Sequence, residues 1–501
     1  MAEHAQALPE GLVVDIVPER PLGGTVLRGL VWLGGARWAA QLFLWASTLV
    51  IARLLSPEDY GLVALATVLT GFLEVVTDLG LGSALVQLRT VDKREVEATM
   101  GATWLLGLAA ASVLFVSAPL WAHIQNDVRI IPIVRVLSFG VLITTAANVP
   151  YSMLHRRLAF GLVARAQFVR GLVTAVVTLA SAFVLQSHWA LVVGYMVAKV
   201  AFTAMLMAAE PVRPRLPDAS TKVGGLLRFG GVLTADRILN YARSNFDIAL
   251  VGALLGGRMV GLYVMATALA RLPLEKLGSA FEPIAYPTFA RLRDDKPELR
   301  RFFLGLSLGT MAIALPACVG LVATAGLLVP TVIGAQWTAV VLPLQIAALA
   351  TPLAFHLGLV SALFNAMGRV DLNLRVTTIT SVLTVAAVFA GVKFGIAGVA
   401  ASTGIAFAIA WGYAEMLAFR LIELPVRAMA RTLLPAVSAS LAMGGCVLVA
   451  ARVLSDAWPP FGRLVLECGI GVVAYVSWAL LLHRDTVVRQ LRSMRAAWRT
   501  A

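Results

Sequence analysis

Charged residues are scarce in this chain of 501 residues: only 14% are Asp, Glu, Lys or Arg, whereas about 25% is typical of soluble globular proteins. Hydrophobic residues make up 59% of the sequence, and the mean hydropathy is +0.85. They fall in many separate runs of about 20 residues, and a helix of that length crosses the ~30 Å hydrocarbon layer of a bilayer. The composition therefore excludes a water-soluble enzyme and predicts a polytopic membrane protein.

Cysteine and histidine are also scarce. The three cysteines, Cys318, Cys446 and Cys468, lie in apolar runs, where thiols pack as small hydrophobic groups and do not form disulfides. The six histidines are scattered, and the sequence has neither a His pair at helical spacing nor a Cys-x-x-Cys motif. We therefore expect no metal site and no catalytic residue. Residues 1–27 lack the pattern of a cleaved signal peptide, so we expect the first apolar run to stay as a helix.

Apolar runs between polar or Gly/Pro breaks predict fourteen membrane-spanning helices. Their predicted ranges are 30–54, 61–88, 98–119, 131–153, 166–186, 189–209, 230–254, 260–284, 303–328, 339–365, 372–392, 396–418, 433–451 and 463–482. An even number of spans places both termini on the same side of the membrane.

The connecting segments carry an uneven share of the basic residues. The chain has 41 Lys and Arg against 27 Asp and Glu, for a net charge of +14. Counted with the adjoining helix ends, alternate segments starting from the N-terminal tail hold 27 basic residues and the opposite set holds 6. This asymmetry predicts cytoplasmic termini, and it explains the positive charge by the membrane and not by a nucleic-acid partner. The segments on the outer side are too short for an external catalytic domain.

An internal repeat relates residues 54–69 to residues 254–269 at a shift of 200 positions. Seven of the sixteen aligned positions are identical, among them Gly61 and Gly261. Convergent apolar composition is the alternative explanation. Because six helices separate the two copies, both have the same orientation, and parallel repeats of this kind form transporters with two bundles around a central site. The same shift aligns Arg37 with Arg237.

These features predict an all-α polytopic membrane fold with about 14 transmembrane helices, arranged as two parallel-repeat six-helix bundles plus two C-terminal helices. The predicted segments are a cytoplasmic N-terminal tail at 1–27, an N-terminal six-helix bundle at 28–209, a cytoplasmic linker at 210–229, a C-terminal six-helix bundle at 230–419, two additional helices at 420–482 and a basic cytoplasmic tail at 483–501.

Charged residues inside the predicted spans are candidates for function, because a basic side chain at the bilayer centre costs ~2.5–3.5 kcal/mol on insertion scales. The seventh span has the clearest pattern: four polar residues share one helical face, namely Asp236, Asn240, Arg243 and Asp247. Two explanations stay open. Arg243 pairs with Asp247 or Asp236 in a structural network, or the face forms a cavity wall that meets an anionic ligand.

Guanidinium groups bind phosphate and carboxylate oxygens bidentately, so buried arginines suit an anionic ligand. The substrate-binding candidates are Arg37, Arg237, Asn240, Arg243, Asp247, Arg271 and Lys276. An internal Arg271–Glu275 pair is the structural alternative in the eighth span. The candidates for binding a coupling H⁺ or Na⁺ are Glu74, Asp78 and Asp236. For Asp78, capping or pairing at the cytoplasmic rim is the alternative, and we expect no other cofactor.

Several stretches resemble polysaccharide-transporter (Wzx-like) flippases of the multidrug/oligosaccharidyl-lipid/polysaccharide exporter superfamily. They are Ile51–Ala66 (IARLLSPEDYGLVALA), Asp78–Gln87, Val149–Phe160, Val251–Tyr263 and Phe364–Arg369. The resemblance covers roughly residues 30 to 480. It implies the fold of that superfamily and the transfer of undecaprenyl-diphosphate-linked oligosaccharides across the bacterial inner membrane, and it assigns no individual substrate contact.

The resemblance and the buried charges together predict a flippase that works by alternating access, without covalent chemistry, in exopolysaccharide, O-antigen or capsule biosynthesis. Its expected partners are the membrane, a lipid-diphosphate-linked oligosaccharide, and a polysaccharide polymerase with its co-polymerase. A multidrug or cation exporter of the same superfamily is one alternative. A membrane glycosyltransferase or polymerase of the same pathway is the other, and the short outer segments argue against it.

Overall fold

A computed structural model describes residues 43–78, 85, 92–216, 223–454 and 458–482 of the chain. For the helical residues 223–233, 235–236, 239 and 275–284, only the backbone is described.

The described residues form fourteen long helices, one for each predicted span, and the predicted all-α fold is confirmed. In chain order they are α1 (Phe43–Leu54), α2 (Pro57–Asp78), α3 (Lys93–Ile124), α4 (Ile130–Arg156), α5 (Phe160–Leu185), α6 (Trp189–Ala209), α7 (Val223–Leu255), α8 (Gly257–Arg291), α9 (Lys296–Leu328), α10 (Val341–Ala366), α11 (Val370–Gly391), α12 (Gly395–Ile422), α13 (Val426–Val453) and α14 (Pro460–Leu482). A π-helical turn at Val329–Ile333 and a 3₁₀ helix at Ala335–Val340 join α9 to α10.

Helix α2 begins four residues earlier than predicted, at Pro57, because the preceding polar residues cap it. The Ser56 Oγ accepts from the Asp59 amide at 3.2 Å, and the Asp59 Oδ2 accepts from the Ser56 amide at 3.0 Å. This reciprocal arrangement satisfies two amide donors at the helix start. Proline fits the first helical position because it has no N–H group to satisfy. The Ser-Pro-Glu-Asp segment therefore sets the N-terminus of α2.

Most of the helices are long and apolar enough to cross a membrane. Within the described residues, ten stretches meet this criterion by length and composition, and one of them, Val370–Ile422, covers both α11 and α12. Helices α7 and α8 are not among the ten, although each exceeds 30 residues. Both carry several charged residues along their length, so their faces must be shielded from lipid.

The helices pack as two bundles, which we call the first bundle (α1–α6) and the second bundle (α7–α12). Within the first, α3 packs on α4 and α5 on α6; within the second, α10 packs on both α8 and α12. Helices α13 and α14 pack on each other and on α9. Contacts between the bundles are made chiefly by α2, which lies against α7 and α8. Helix α2 and the start of α8 carry the two copies of the sequence repeat.

The ends of the helices define two faces of the molecule. The basic face carries the connections around residues 92, 157–159, 210–216, 292–295, 367–369 and 423–425. The opposite face carries those at 125–129, 186–188, 256, 329–340 and 392–394, together with residues 454 and 458–459. The basic face is the one that the charge asymmetry predicts to be cytoplasmic. That orientation stays a prediction, as do the exact domain boundaries.

Direct contacts join the two bundles at the opposite face. The indole Nε1 of Trp337, a fully buried residue, donates to the Ala52 carbonyl at 2.7 Å. The Gln336 Nε2 donates to the Ala52 and Leu55 carbonyls, both at 3.0 Å. The Arg53 Nε donates to the Val332 carbonyl at 2.9 Å. The Trp337 and Gln336 bonds satisfy carbonyls at the C-terminal end of α1 and just after it, where partners within the helix are lacking.

Candidate functional site

A cavity of about 630 Å³ lies inside the second bundle. Its polar wall is formed by side chains from α7 and α8, and α10, α11 and α12 supply the remainder. The lining residues are Arg243, Ser244, Asp247, Tyr263, Thr267, Ala270, Arg271, Leu274, Ala347, Ala350, Thr351, Ala354, Phe355, Thr384, Ala400, Thr403, Gly404 and Phe407. The space exists because much of the opposing wall consists of Ala, Gly and Thr, whose side chains are too short to fill it.

The polar face of α7 forms one side of this cavity. Arg243 and Asp247 are four residues apart, so their side chains leave the helix in nearly the same direction. These two described side chains form no ion pair with each other, and the Asp247 carboxylate interacts instead with Tyr263 and Arg271 of α8. The Arg243 Nε is buried and has no hydrogen-bond partner among the described residues. The cavity wall agrees with the geometry, whereas an Arg243–Asp247 pair does not. The other structural alternative, an Arg243–Asp236 pair, stays open because the Asp236 side chain lies outside the described residues.

The carboxylate of Asp247 is held in place by neighbouring donors. The Tyr263 hydroxyl of α8 donates to the Asp247 Oδ2 at 2.7 Å, and the Ile248 amide donates to the Oδ1 at 2.9 Å. Arg271, two turns further along α8, lines the same cavity and is close enough to Asp247 for their charges to interact. The cavity thus combines two guanidinium groups with one carboxylate whose hydrogen bonds fix its position.

Tyr263 is a site residue that the sequence did not reveal. It belongs to the Val251–Tyr263 stretch that resembles the flippases, but it lies 16 residues after Asp247 and on a different helix. Periodicity within one helix reports which residues share a face and carries no information about the neighbouring helix. Whether Tyr263 reaches Asp247 depends on which faces of α7 and α8 pack against each other. Only the tertiary structure gives that information.

Arg237 lies at the interface between the bundles and does not line the cavity. Its Nη1 pairs with the Asp78 carboxylate at the end of α2. Six residues separate Arg237 from Arg243, which is about 240° of rotation at 100° per residue, so the two side chains leave different faces of α7. One turn further along α7, the Tyr241 hydroxyl donates to the Val68 carbonyl of α2 at 3.1 Å. This face of α7 therefore holds the bundles together.

The two described carboxylates that were predicted to bind a coupling ion both contact cationic side chains. Glu74 of α2 pairs with Lys199 of α6 inside the first bundle, and the Lys199 Nζ lies 4.5 Å from the centre of the Tyr195 ring. Asp78 pairs with Arg237, as described above. These pairings agree with the structural alternative for Asp78, and ion coupling at Glu74 and Asp78 stays a prediction.

The remaining predicted residues give less information. Asn240 is half-buried on α7 and is not part of the cavity wall. Arg37 and the side chains of Asp236 and Lys276 lie outside the described residues, as does Glu275, so the Arg271–Glu275 alternative stays open. Of the predicted substrate-binding residues, the structure brings together Arg243, Asp247 and Arg271.

Comparison with known proteins gives matches to transport and polysaccharide-biosynthesis proteins. The chain is 24% identical over 368 residues to the lipopolysaccharide biosynthesis protein WzxC of Escherichia coli (strain K12), an alignment that covers 72% of this chain and 75% of that protein. It is 25% identical over 313 residues to the succinoglycan biosynthesis transport protein ExoT of Rhizobium meliloti (strain 1021), covering 62% of this chain and 63% of that protein.

Among solved structures, the lipid II flippase MurJ in an inward closed conformation superposes with a TM-score of 0.72 at 15% identity, over 91% of this chain and 100% of that chain. This likeness confirms the predicted superfamily fold. Residues 50–342, more than half of the chain, match the family described as polysaccharide biosynthesis protein. The predicted family is therefore confirmed, and the chain belongs to this family of polysaccharide biosynthesis proteins.

Proposed function

We propose that this protein is a flippase that moves lipid-diphosphate-linked oligosaccharides from the cytoplasmic to the outer leaflet of a bacterial inner membrane. It acts as a transporter without covalent chemistry, in exopolysaccharide, O-antigen or capsule biosynthesis. The proposal is supported by the family, by relatives whose names refer to lipopolysaccharide synthesis and succinoglycan transport, and by a fold that is shared with a lipid II flippase.

The buried Nε of Arg243, which has no hydrogen-bond partner among the described residues, is the observation that carries this proposal. A buried N–H donor without an acceptor costs about 1–3 kcal/mol, more when the group is charged. Such a cost is recovered when a ligand supplies acceptor oxygens, and a diphosphate offers several of them together with negative charge. Arg271 on the adjacent helix adds a second guanidinium to the same cavity. Together the two side chains suit an anionic headgroup.

The size of the cavity limits what it holds. Ligand pockets of about 300–1,000 Å³ accommodate small molecules, and 630 Å³ falls within that range. The cavity therefore suits a diphosphate and an adjoining sugar, not a whole oligosaccharide. The lipid tail has no need to enter it, because the tail is already solvated by the bilayer. To admit the remaining sugars, the two bundles must move apart.

The closed opposite face agrees with one end state of an alternating-access cycle. Trp337, Gln336 and Arg53 bridge the bundles there, so headgroup release on that side requires these bonds to break. With the basic face cytoplasmic, as the charge asymmetry favours, release occurs on the outer side. A polysaccharide polymerase and its co-polymerase, acting on the released product, are the partners that this placement predicts.

The test is reconstitution of purified protein in vesicles that contain a lipid-diphosphate-linked oligosaccharide, with transfer between leaflets as the readout. Arg243→Ala is expected to lower the transfer rate at least about tenfold, which corresponds to about 1.4 kcal/mol. Arg243→Lys should have an intermediate effect, since it keeps the charge and loses the bidentate geometry. Arg293→Ala is the matched control, because Arg293 is 63% exposed in the connection between α8 and α9.

The same variants are then compared in cells for polysaccharide export at equal expression. Full export by the Arg243→Ala, Arg271→Ala double variant would overturn the role of the cavity. Vesicles without the protein define the background rate, and orientation is checked by labelling a cysteine at Arg293 from each side of the membrane. Labelling only from outside intact cells would contradict a cytoplasmic basic face.

Asp247 favours one alternative, a cation exporter, because a carboxylate held in a cavity also attracts cations. The two functions predict opposite outcomes for Asp247→Asn. A cation exporter would lose transport and with it resistance to cationic drugs, whereas a flippase would keep most of its export because the guanidinium groups remain. A deletion strain that loses drug resistance and makes normal polysaccharide would support the alternative.

A further inference from the structure

A buried pair of titratable side chains lies inside the second bundle, apart from the cavity described above. The His356 Nδ1 of α10 is 2.7 Å from the Glu415 Oε1 of α12, and the two side chains are only 1% and 6% exposed. The Ser307 Oγ of α9 lies 3.0 Å from the His356 Nε2. The Trp411 Nε1, one turn before Glu415, lies 3.2 Å from the Nδ1. Three helices therefore meet at one imidazole ring.

The two contacts of the Nδ1 require different protonation states. A Trp411 N–H can be accepted only by an Nδ1 that carries a lone pair, whereas an ion pair with Glu415 requires an Nδ1 that carries a proton. In this structure the Nδ1 accepts from the Trp411 N–H, and the Glu415 carboxylate lies close by without a hydrogen bond in favourable geometry. An added proton on the Nδ1 would end the Trp411 bond and place a positive charge beside the carboxylate. A single proton therefore decides which of the two contacts the ring can make.

The Glu415 carboxylate has few other sources of stabilisation. Both of its oxygens are buried and have no hydrogen-bond donor in favourable geometry among the described residues. An isolated carboxylate in a low-dielectric interior is strongly disfavoured, so its state is tied to the charge of its neighbour. In the described part of the chain, His356 is the basic side chain with a nitrogen within 4 Å of a Glu415 carboxylate oxygen. Among the described residues, a protonated His356 is therefore the group that would balance the charge of a Glu415 carboxylate.

A second buried glutamate provides a useful contrast. Glu467 of α14 is 1% exposed and accepts from the Arg463 Nε at 3.1 Å. A guanidinium does not release its proton under physiological conditions, so this ion pair has one charge state. An imidazole does release its proton in that range. Buried Glu210 likewise pairs with a guanidinium, that of Arg157. Of these three described pairs, only His356–Glu415 has an imidazole as the partner.

A crevice of about 810 Å³ adjoins the pair. Glu415 lies on its wall, and Arg420, Glu423 and Pro425 line its end at the basic face. Glu415 is seven residues before the last residue of α12, which places it about 10 Å from the end of the helix. The crevice therefore extends from the basic face to the level of Glu415, whose carboxylate oxygens are themselves buried.

Other charged or titratable groups lie on the helices around the pair. Toward the basic face they include Arg300 on α9, which contacts the Ile422 carbonyl and Glu423, with Arg301 on α9, Asp371 and Arg375 on α11, Arg420 and Glu423 at the end of α12, and Tyr286 and Arg291 on α8. Further along the helices are Tyr413 on α12, Cys318 on α9, and Tyr263 and Arg271 of α8, which line the other cavity. The side chains of residues 275–284 on α8 are not described. Arg300 and Lys296 both contact Glu423, so their charges are engaged at the mouth of the crevice.

We propose that His356 and Glu415 form a proton-binding site inside the second bundle, filled and emptied through the crevice at the basic face. The site takes up one proton and no other ligand. Because His356, Glu415 and Ser307 belong to three different helices, loading the site changes the bonds that connect α9, α10 and α12. The proposal does not depend on the flippase assignment, since it concerns the protein without substrate.

The test is an infrared difference spectrum of the full-length protein in nanodiscs, recorded between about pH 5.5 and pH 8.5, on either side of the ordinary histidine value of about 6.5. We expect carboxyl and imidazole bands that change together, with the imidazole band shifting on ¹⁵N labelling of histidine. Both bands should be lost in His356→Gln and in Glu415→Gln. The Glu467→Gln variant is the matched control and should keep them.

Two results would overturn the proposal: a wild-type spectrum without a carboxyl band, or bands that persist in both His356→Gln and Glu415→Gln. If either substitution prevents folding, Trp411→Phe serves instead, because it keeps a buried ring and removes the N–H that competes for the Nδ1. It must alter the same imidazole bands, and an unchanged spectrum would also overturn the proposal. These spectra need no substrate, so they stay informative even if the vesicle assay shows no lipid transfer.

Discussion

Gly61 and Gly261, equivalent positions of the sequence repeat, meet where α2 crosses α8. A Cβ atom built on Gly61 would lie 3.0 Å from the Gly261 amide nitrogen and would overlap the Gly257 carbonyl oxygen. One built on Gly261 would overlap the Pro57 carbonyl oxygen. Because residues 57 and 257 are also related by the shift of 200, the contact is symmetric. Two glycines allow the backbones to touch at the pseudo-symmetry axis.

Gly61→Ala is expected to separate the bundles at the opposite face, because the added methyl group overlaps backbone atoms that cannot rotate away. The reporter is a cysteine at Leu55, a fully buried residue, in a background in which the native cysteines are replaced by alanine. A membrane-impermeant maleimide should label Leu55→Cys several-fold faster when Gly61→Ala is present.

Gly326→Ala is the matched control for that experiment, since a Cβ atom at Gly326 of α9 meets nothing within 4 Å. It should leave the labelling unchanged and gain up to about 1 kcal/mol from the higher helix propensity of alanine. Equal labelling rates in the Gly61→Ala and Gly326→Ala backgrounds would contradict the tight crossing.

Trp337→Phe is expected to weaken the closed opposite face without emptying its core. The indole N–H donates to the Ala52 carbonyl, and the Tyr60 ring lies edge-on at 5.3 Å between ring centres. Phenylalanine keeps the ring contact and loses the hydrogen bond, for a cost of about 1 kcal/mol. Trp337→Ala also leaves a large cavity and should cost about 3–5 kcal/mol. The unfolding temperatures of both variants are measured in detergent. Equal decreases in the two variants would indicate that the hydrogen bond, and not the packing of the ring, accounts for most of the stability that Trp337 contributes.

Exchanging the charges of Asp78 and Arg237 tests the ion pair between α2 and α7. Asp78→Arg and Arg237→Asp, made singly, place like charges together and should each lower the thermal stability and the export of polysaccharide. The double variant should recover a substantial part of both, because it restores opposite charges at the interface. Recovery no better than the sum of the two single effects would show that the residues act independently.

Asp127→Asn should show a pH-dependent loss of stability at the opposite face. Hydrogen bonds from the Arg129 side chain are the main reason that the pKa of Asp127 is lowered. A lowered pKa contributes stability that is present above the unfolded value of about 3.9 and is lost as the pH falls through the folded value. The variant should therefore unfold at a lower temperature at pH 7, by the equivalent of about 1 kcal/mol, and the difference from wild type should shrink below about pH 4.

The control for this measurement is Asp294→Asn, whose side chain is 89% exposed on the basic face. Its unfolding temperature should follow the wild type at every pH. A difference between Asp127→Asn and wild type that stays constant down to pH 3 would contradict the assigned ion pair.

Much of the fold could be predicted from the sequence because the determinants of a spanning helix are local. Run length and hydropathy located all fourteen helices, although several predicted starts were late by four to seven residues because polar and charged residues form the first turns, as at Ser56–Asp59 before and in α2. The polar stripe on α7 also correctly placed Arg243 and Asp247 on one face, because helical periodicity is a property of a single segment.

Contacts between helices could not be predicted from the sequence. It placed Arg237 with Arg243 in one set, although 240° of helical rotation sends Arg237 to Asp78, 159 residues earlier. It gave no indication that Tyr263 reaches Asp247, or that His356 meets Glu415.

The amino-acid order alone determined the number of spans, the charge asymmetry of the connections and the parallel repeat, since each depends on neighbours along the chain. The tertiary structure decided that Arg237 pairs with a carboxylate, that Arg243 lines the cavity and that His356 contacts a glutamate. These contacts depend on how the helices are rotated and packed. Helix rotation and packing are set by contacts such as that of Gly61 with Gly261, where the lack of side chains lets the backbones of α2 and α8 touch.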